Sequence, residues 1–136
     1  MDAKFSAKCN CLFDNGSLSL DGIEQISKGL SRVGIGLEAG MISRTVERIS
    51  NWVGGNVHVF DEKVVFSMNK LNASFQKDSS DLVVPTSMIS DVKAGKMMLI
   101  AKTVDCQVLG ANMRFRCMGA TNDKLLEAIS AVAAMK

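Results

Sequence analysis

Cys9-Asn10-Cys11 brings two thiols close enough along the chain to share a metal ion. Structural zinc sites draw on four thiolate or imidazole ligands, in pairs about two to four residues apart. Here the gap is a single residue. The remaining thiols, Cys106 and Cys117, fall on separate predicted strands, and His58 is the only histidine. The expectation is therefore no metal and no other cofactor, with Cys106 and Cys117 acting as small apolar core residues. His58 shares a strand face with Phe60 and reads as a partly exposed strand side chain rather than an acid–base group. No carboxylate pair, Ser-His-Asp set or nucleophile elbow stands out, so the chain is expected not to be an enzyme.

Gly34-Ile35-Gly36-Leu37-Glu38-Ala39-Gly40 has the glycine density of a phosphate cradle. It lacks the lysine and hydroxyl of a P-loop, and no strand precedes it, so it reads as a joint between two helices. The remaining binding candidates are basic. Lys28 and Arg32 are four residues apart on one predicted helix, and Arg44 and Arg48 likewise on the next. Lys63 follows the acidic pair Asp61-Glu62, and Lys102, Arg114 and Arg116 belong to the strands near the C-terminus. Such groups suit anionic lipids or an acidic protein, although Glu47 dilutes the charge on the second helix.

Composition narrows the partners further. The 136 residues include 16 basic and 14 acidic side chains, a formal charge of +2. Nucleic acid binding calls for a concentrated basic face and, for single strands, exposed rings. With six Phe, one Trp and no Tyr, neither is in evidence. The start, Met1-Asp2-Ala3-Lys4-Phe5-Ser6, has no apolar run behind it, so no signal peptide is expected, and no stretch nears the ~20 apolar residues of a membrane span. Four cysteines without an export signal read as reduced thiols, hence a cytoplasmic protein.

The elements that would position these groups change character at Gly54-Gly55. Before it, Ile23, Ile26, Leu30 and Val33 follow helical spacing behind Asp21, a predicted N-cap. A second amphipathic helix is predicted over 37–53, burying Ile42, Val46, Ile49 and Val53, with Gly54-Gly55 as its stop. Period-two runs come next: Val57 to Phe60, Val64 to Met68, a short strand near Ala73 to Gln76, and Leu82 to Pro85. Met88 to Val92 precedes a turn at Gly95, then Met97 to Thr103 and Asp105 to Leu109. Gly110-Ala111-Asn112 forms a hairpin loop. In the last run Met113, Phe115 and Cys117 point one way, Arg114 and Arg116 the other. A capping cluster, Thr121-Asn122-Asp123, opens a helix with Leu125, Leu126, Ile129, Val132 and Ala133 on one side, which must cover the end of the sheet.

Several segments together resemble the pleckstrin-homology superfold, in its GRAM-like and bacterial PH-like forms. They are Gly54-Gly55-Asn56-Val57-His58-Val59, Val64-Val65-Phe66, Pro85 through Val92, and Met113-Arg114-Phe115-Arg116. The resemblance covers roughly residues 54–135. It implies a bent antiparallel barrel of about seven strands capped by a C-terminal helix, acting as an adaptor that meets lipid headgroups, proteins or copies of itself. Classical phosphoinositide binders carry a lysine on the first strand and a basic pair on the second, around a long loop. The short acidic turn Asp61-Glu62, with only Lys63 nearby, departs from that pattern.

The expected architecture is mainly β (α+β), with an N-terminal helical extension over 1–53 and a PH/GRAM-like domain over 54–136. The expected role is a non-catalytic cytoplasmic binding module acting by protein interaction or self-assembly. The alternative is binding to a lipid headgroup or membrane surface.

Overall fold

A computed structural model describes residues 3–14, 18–49, 51–68, 81–97 and 101–134. The chain runs β1 (Phe5–Phe13), α1 (Leu20–Arg32), α2 (Ala39–Arg48), β2 (Val53–Val59), β3 (Lys63–Met68) and β4 (Leu82–Pro85). A 3-10 turn, Thr86–Met88, leads to β5 (Ile89–Met97), β6 (Ala101–Val108), β7 (Ala111–Arg116) and α3 (Thr121–Ala133). All strand pairs are antiparallel, in one seven-stranded sheet ordered β4-β3-β2-β1-β7-β6-β5. The strand expected near Ala73 to Gln76 lies outside the described residues.

The connection at the 3-10 turn forces the sheet to bend. β4 and β5 are its two edges, yet only Thr86–Met88 joins them. Six inter-strand gaps of about 4.8 Å would set the edges of a flat sheet roughly 29 Å apart. The four Cα steps from Pro85 to Ile89 reach about 15 Å at most. The sheet must therefore curl until its edges nearly meet. It does not close into the expected barrel, because β4 and β5 form no ladder with each other.

The first fifty residues depart from an all-helical extension. Phe5, Ala7, Cys9, Cys11 and Phe13 alternate with Ser6, Lys8, Asn10 and Leu12, and this run forms β1 at the centre of the sheet, between β2 and β7. Its odd positions turn inward: Cys11 and Phe13 are fully buried. Both helices are present, α1 starting slightly earlier than expected and α2 ending well short of Val53. α1 is capped by Ser19, whose side chain accepts from Gly22 N at 3.0 Å, not by Asp21. It ends where Gly34, at φ +84°, lets Ile35 N donate to Leu30 O and Gly34 N to Ser31 O, the paired bonds of a Schellman stop. The glycine segment thus joins two helices, and Ser27 Oγ donates to Leu37 O to fasten it.

α2 stops at Arg48, and Gly54-Gly55 lies inside β2 rather than ending a helix. Gly55 is buried against Ser67 O and the Phe66 ring, leaving no room for a Cβ. Gly95 likewise lies within β5 rather than at a turn, and residues 101–108 make one strand rather than parts of two. The hairpin turn falls at Leu109-Gly110, with both residues at positive φ, so Ala111 already opens β7.

The core fills the inside of the bend. Val57, Val59, Val64, Phe66, Val104, Val108, Met113 and Phe115 are at most 1% exposed. α3 lays Leu125, Ile129 and Val132 against them and packs on β5, β6 and β1. α1 and α2 pack on each other and on β4. There Gly29 lets α1 approach Pro85 and Met88 closely.

Candidate binding cleft

β7 ends at Arg116, opposite Asn10, while β1 continues back to Phe5 beside β2. Losing one neighbour halfway along β1 opens the sheet, and an open cleft of about 840 Å³ sits there. Its walls come from five elements. Lys8, Cys9 and Asn10 come from β1, Gly54 and Gly55 from β2, and Ala101 and Lys102 from the start of β6. Arg116 ends β7, while Cys117, Met118, Gly119, Ala120, Asn122 and Asp123 come from the segment after it and the first turn of α3.

Register explains the placement. Asn10 pairs with both Gly54 and Arg116, so the three form a row across the solvent face. Gly54 contributes no side chain, which leaves that end of the row low. Lys8 follows two residues along on the same face. Lys8, Lys102 and Arg116 are exposed, and Asp123 is the single acid among the lining residues. Met118 stands at the rim, 87% exposed. The helix beyond begins without a side-chain cap: Ala120 holds the N-cap position. Asn122, expected in a capping cluster, is buried and accepts Cys117 N through Oδ1 at 3.3 Å.

Cys9 and Cys117 are 6% and 7% exposed. Side-chain hydrogen bonding toward Cys117 holds the Cys9 thiol well above its usual range, with burial and the neighbouring sulfurs adding to the effect. It lowers Cys117, against the opposing effect of burial. Burial raises Cys11, with a smaller contribution from Cys106. Cys106 is pushed up to about 12 by burial and by the charge of Asp105.

The structure divides the basic residues singled out from the sequence. Lys102 and Arg116 meet at the cleft. Arg114 points out one row away, but its guanidinium is bound: Nε donates to Asp105 Oδ1 at 3.0 Å and Nη2 to Lys96 O at 3.0 Å, with Trp52 against it. Lys63 lies over the Phe60 ring at 4.8 Å. Lys28 and Arg32 are on α1 and Arg44 and Arg48 on α2, none of them lining the cleft. Lys8 is the cleft cation that the sequence reading missed. The signal was there, in the alternation from Phe5 to Phe13. His58 shares a 2.8 Å hydrogen bond with Ser6 across β1 and β2, on the solvent face and outside the cleft.

Among the described residues, no three His, Cys, Asp or Glu side chains are grouped to hold a metal, and no helix is long and apolar enough to cross a membrane. No protein-family model and no curated protein matches the chain.

Proposed function

We propose that the chain is a non-catalytic, PH/GRAM-like binding module that docks on an anionic membrane surface by seating a lipid headgroup in the cleft. The observation that carries this reading is the pairing of Met118, 87% exposed, with Lys8, Lys102 and Arg116 around the same opening. An apolar side chain held in water beside a cluster of cations suits a charged interface over an apolar layer. Each cation near an anionic surface adds about 1 kcal/mol. The site differs from the headgroup pocket of classical members, which the turn between β2 and β3 would have to supply. The turn there is the acidic Asp61-Glu62, and Asp61 pairs with Lys4.

Self-assembly through strand edges has less support. β5 carries a bulge between Ser90 and Lys93, with Asp91 at φ 51°, and exposes Lys93 and Lys96. β4 is four residues long, ends in Pro85 and packs against α1. Bulges, edge lysines, prolines and short length are the devices by which sheets discourage edge pairing.

Co-sedimentation with phosphatidylcholine vesicles, with and without phosphatidylserine or a phosphoinositide, tests the reading. Binding is expected only to the anionic vesicles, to weaken with salt, and to be lost in Lys8→Glu/Arg116→Glu. Equal indifference to all vesicles, together with a discrete oligomer on sizing, would favour the protein-interaction reading instead.

A further inference from the structure

We propose that Cys9 and Cys117 form an oxidisable dithiol at the cleft floor, which a peroxide converts to an intramolecular disulfide. This inference stands apart from the headgroup reading, because it rests on the placement of the two cysteines and on no ligand. Asn10 pairs with Arg116, the last residue of β7, so extending that register by one position sets Cys117 beside Cys9, and both are buried. The phase of the ladder is set by Asp14 N donating to Asn112 O at 2.9 Å. Counting back in steps of two, positions 12 and 10 repeat that bonded arrangement, so one step past the end of the ladder Cys9 and Cys117 fall in the phase of a non-bonded site. Opposed residues at such sites have Cα atoms about 4.5 Å apart. A disulfide accepts Cα separations of about 4.4–6.8 Å. Both thiols line the open cleft, and each shifts the titration of the other.

The other two cysteines lack this arrangement. Cys11 lies opposite Phe115 and Cys106 opposite Met113, on strands separated by β7. Cys11 is wholly buried.

Cys9 sits within β1, whereas Cys117 lies beyond the last residue of β7. The Cys117 thiol is lowered while that of Cys9 is raised, so Cys117 is the sulfur more readily held as thiolate. Cys117 Sγ attacks one oxygen of hydrogen peroxide. The O–O bond breaks, leaving a sulfenic acid on Cys117 and a hydroxide that takes a proton to become water. Cys9 Sγ, giving up its proton, then attacks Cys117 Sγ. The S–S bond forms as S–O breaks, and hydroxide leaves with that proton as a second water. Two thiols lose two electrons, and one peroxide gains them.

The test uses the intact reduced chain, treated with stoichiometric hydrogen peroxide, quenched by alkylation and analysed by peptide mass spectrometry. The expected result is a monomer about 2 Da lighter. A peptide containing Cys9 should be linked to the one containing Cys117, with Cys11 and Cys106 alkylated after denaturation. Cys9→Ser should stop at a Cys117 sulfenic acid trapped by dimedone, and Cys11→Ser should leave the linkage intact. Linkage through Cys11 or Cys106, a cross-linked dimer, or four unchanged thiols would each overturn the proposal.

Discussion

Arg114 on β7 spans to Asp105 on β6, directly opposite in the ladder, with Nε 3.0 Å from Oδ1. The same Oδ1 accepts from Thr103 Oγ1 at 2.8 Å, and Thr103 is fully buried although it faces away from the core. Gly95 on β5 lies close against Asp105 and Thr103. One carboxylate therefore gathers three strands on the outer face, and Trp52 lies against the guanidinium that completes the group.

Removing that acceptor should be felt in stability. Asp105→Ala leaves Arg114 and Thr103 short of a partner in a half-buried setting, and is expected to cost about 1–2 kcal/mol. Urea unfolding monitored by Trp52 fluorescence measures it, and Trp52 emission should shift red as the guanidinium beside it loosens. An unchanged midpoint would mean water replaces the carboxylate without cost.

Gly55→Ala should be far more damaging than its single methyl suggests. The new Cβ would collide with Ser67 O in the paired strand β3, and a backbone atom cannot rotate away. Either β2 and β3 part locally or the methyl is not accommodated, so a loss of about 3 kcal/mol is expected. Chemical denaturation of the purified variant gives the value, and a loss below 1 kcal/mol would show that the strands can shift.

The C-terminal helix is tested by Leu125→Ala and Ile129→Ala. Both side chains are 0% exposed inside the bend. Each truncation removes apolar burial and leaves a cavity, with an expected cost of about 2–5 kcal/mol. Glu127→Ala, on the exposed side of the same helix, should stay within about 0.5 kcal/mol of wild type.

Met118→Asp separates docking from folding. At 87% exposure the side chain contributes little to the core, so unfolding should move by less than about 0.5 kcal/mol. Affinity for anionic vesicles should nevertheless fall at least about tenfold, since about 1.4 kcal/mol of interfacial burial is enough for that factor. Unaltered vesicle binding would remove Met118 from the docking surface.

Alkaline pH offers a further handle on the core. The Cys106 thiol ordinarily titrates near 9.0 and in the fold is pushed up to about 12. Below pH 9 it is protonated in both folded and unfolded chains and stability is unaffected. Between about 9 and 12 only the unfolded chain loses the proton, so stability falls with rising pH, by up to about 1.4 kcal/mol per unit. Cys106→Val removes this contribution. Under reducing conditions its plot of unfolding free energy against pH should be shallower than wild type over that window, and parallel plots would contradict the assignment.

Local periodicity alone determined much of this protein. Alternation at Met113, Phe115 and Cys117 against Arg114 and Arg116 assigned the two faces of β7, and the spacing of Leu125, Ile129 and Val132 assigned the buried side of α3. Those signals are legible because a strand repeats every two residues and a helix every 3.6, whatever lies opposite. Tertiary structure decided what lies opposite. Phe5–Phe13 carries the same period-two pattern in a weaker form, with Ala7 and two cysteines among its inward residues, and only pairing with β2 and β7 makes it the centre of the sheet. Gly54-Gly55 has the look of a helix stop until β3 is placed beside it, and Gly95 that of a turn until Asp105 is. The cleft exists because Lys8, Lys102 and Arg116, more than a hundred residues apart at the extremes, are brought together by antiparallel register. Register is a long-range property: it depends on which strands meet and in what phase, and no window of sequence contains both partners.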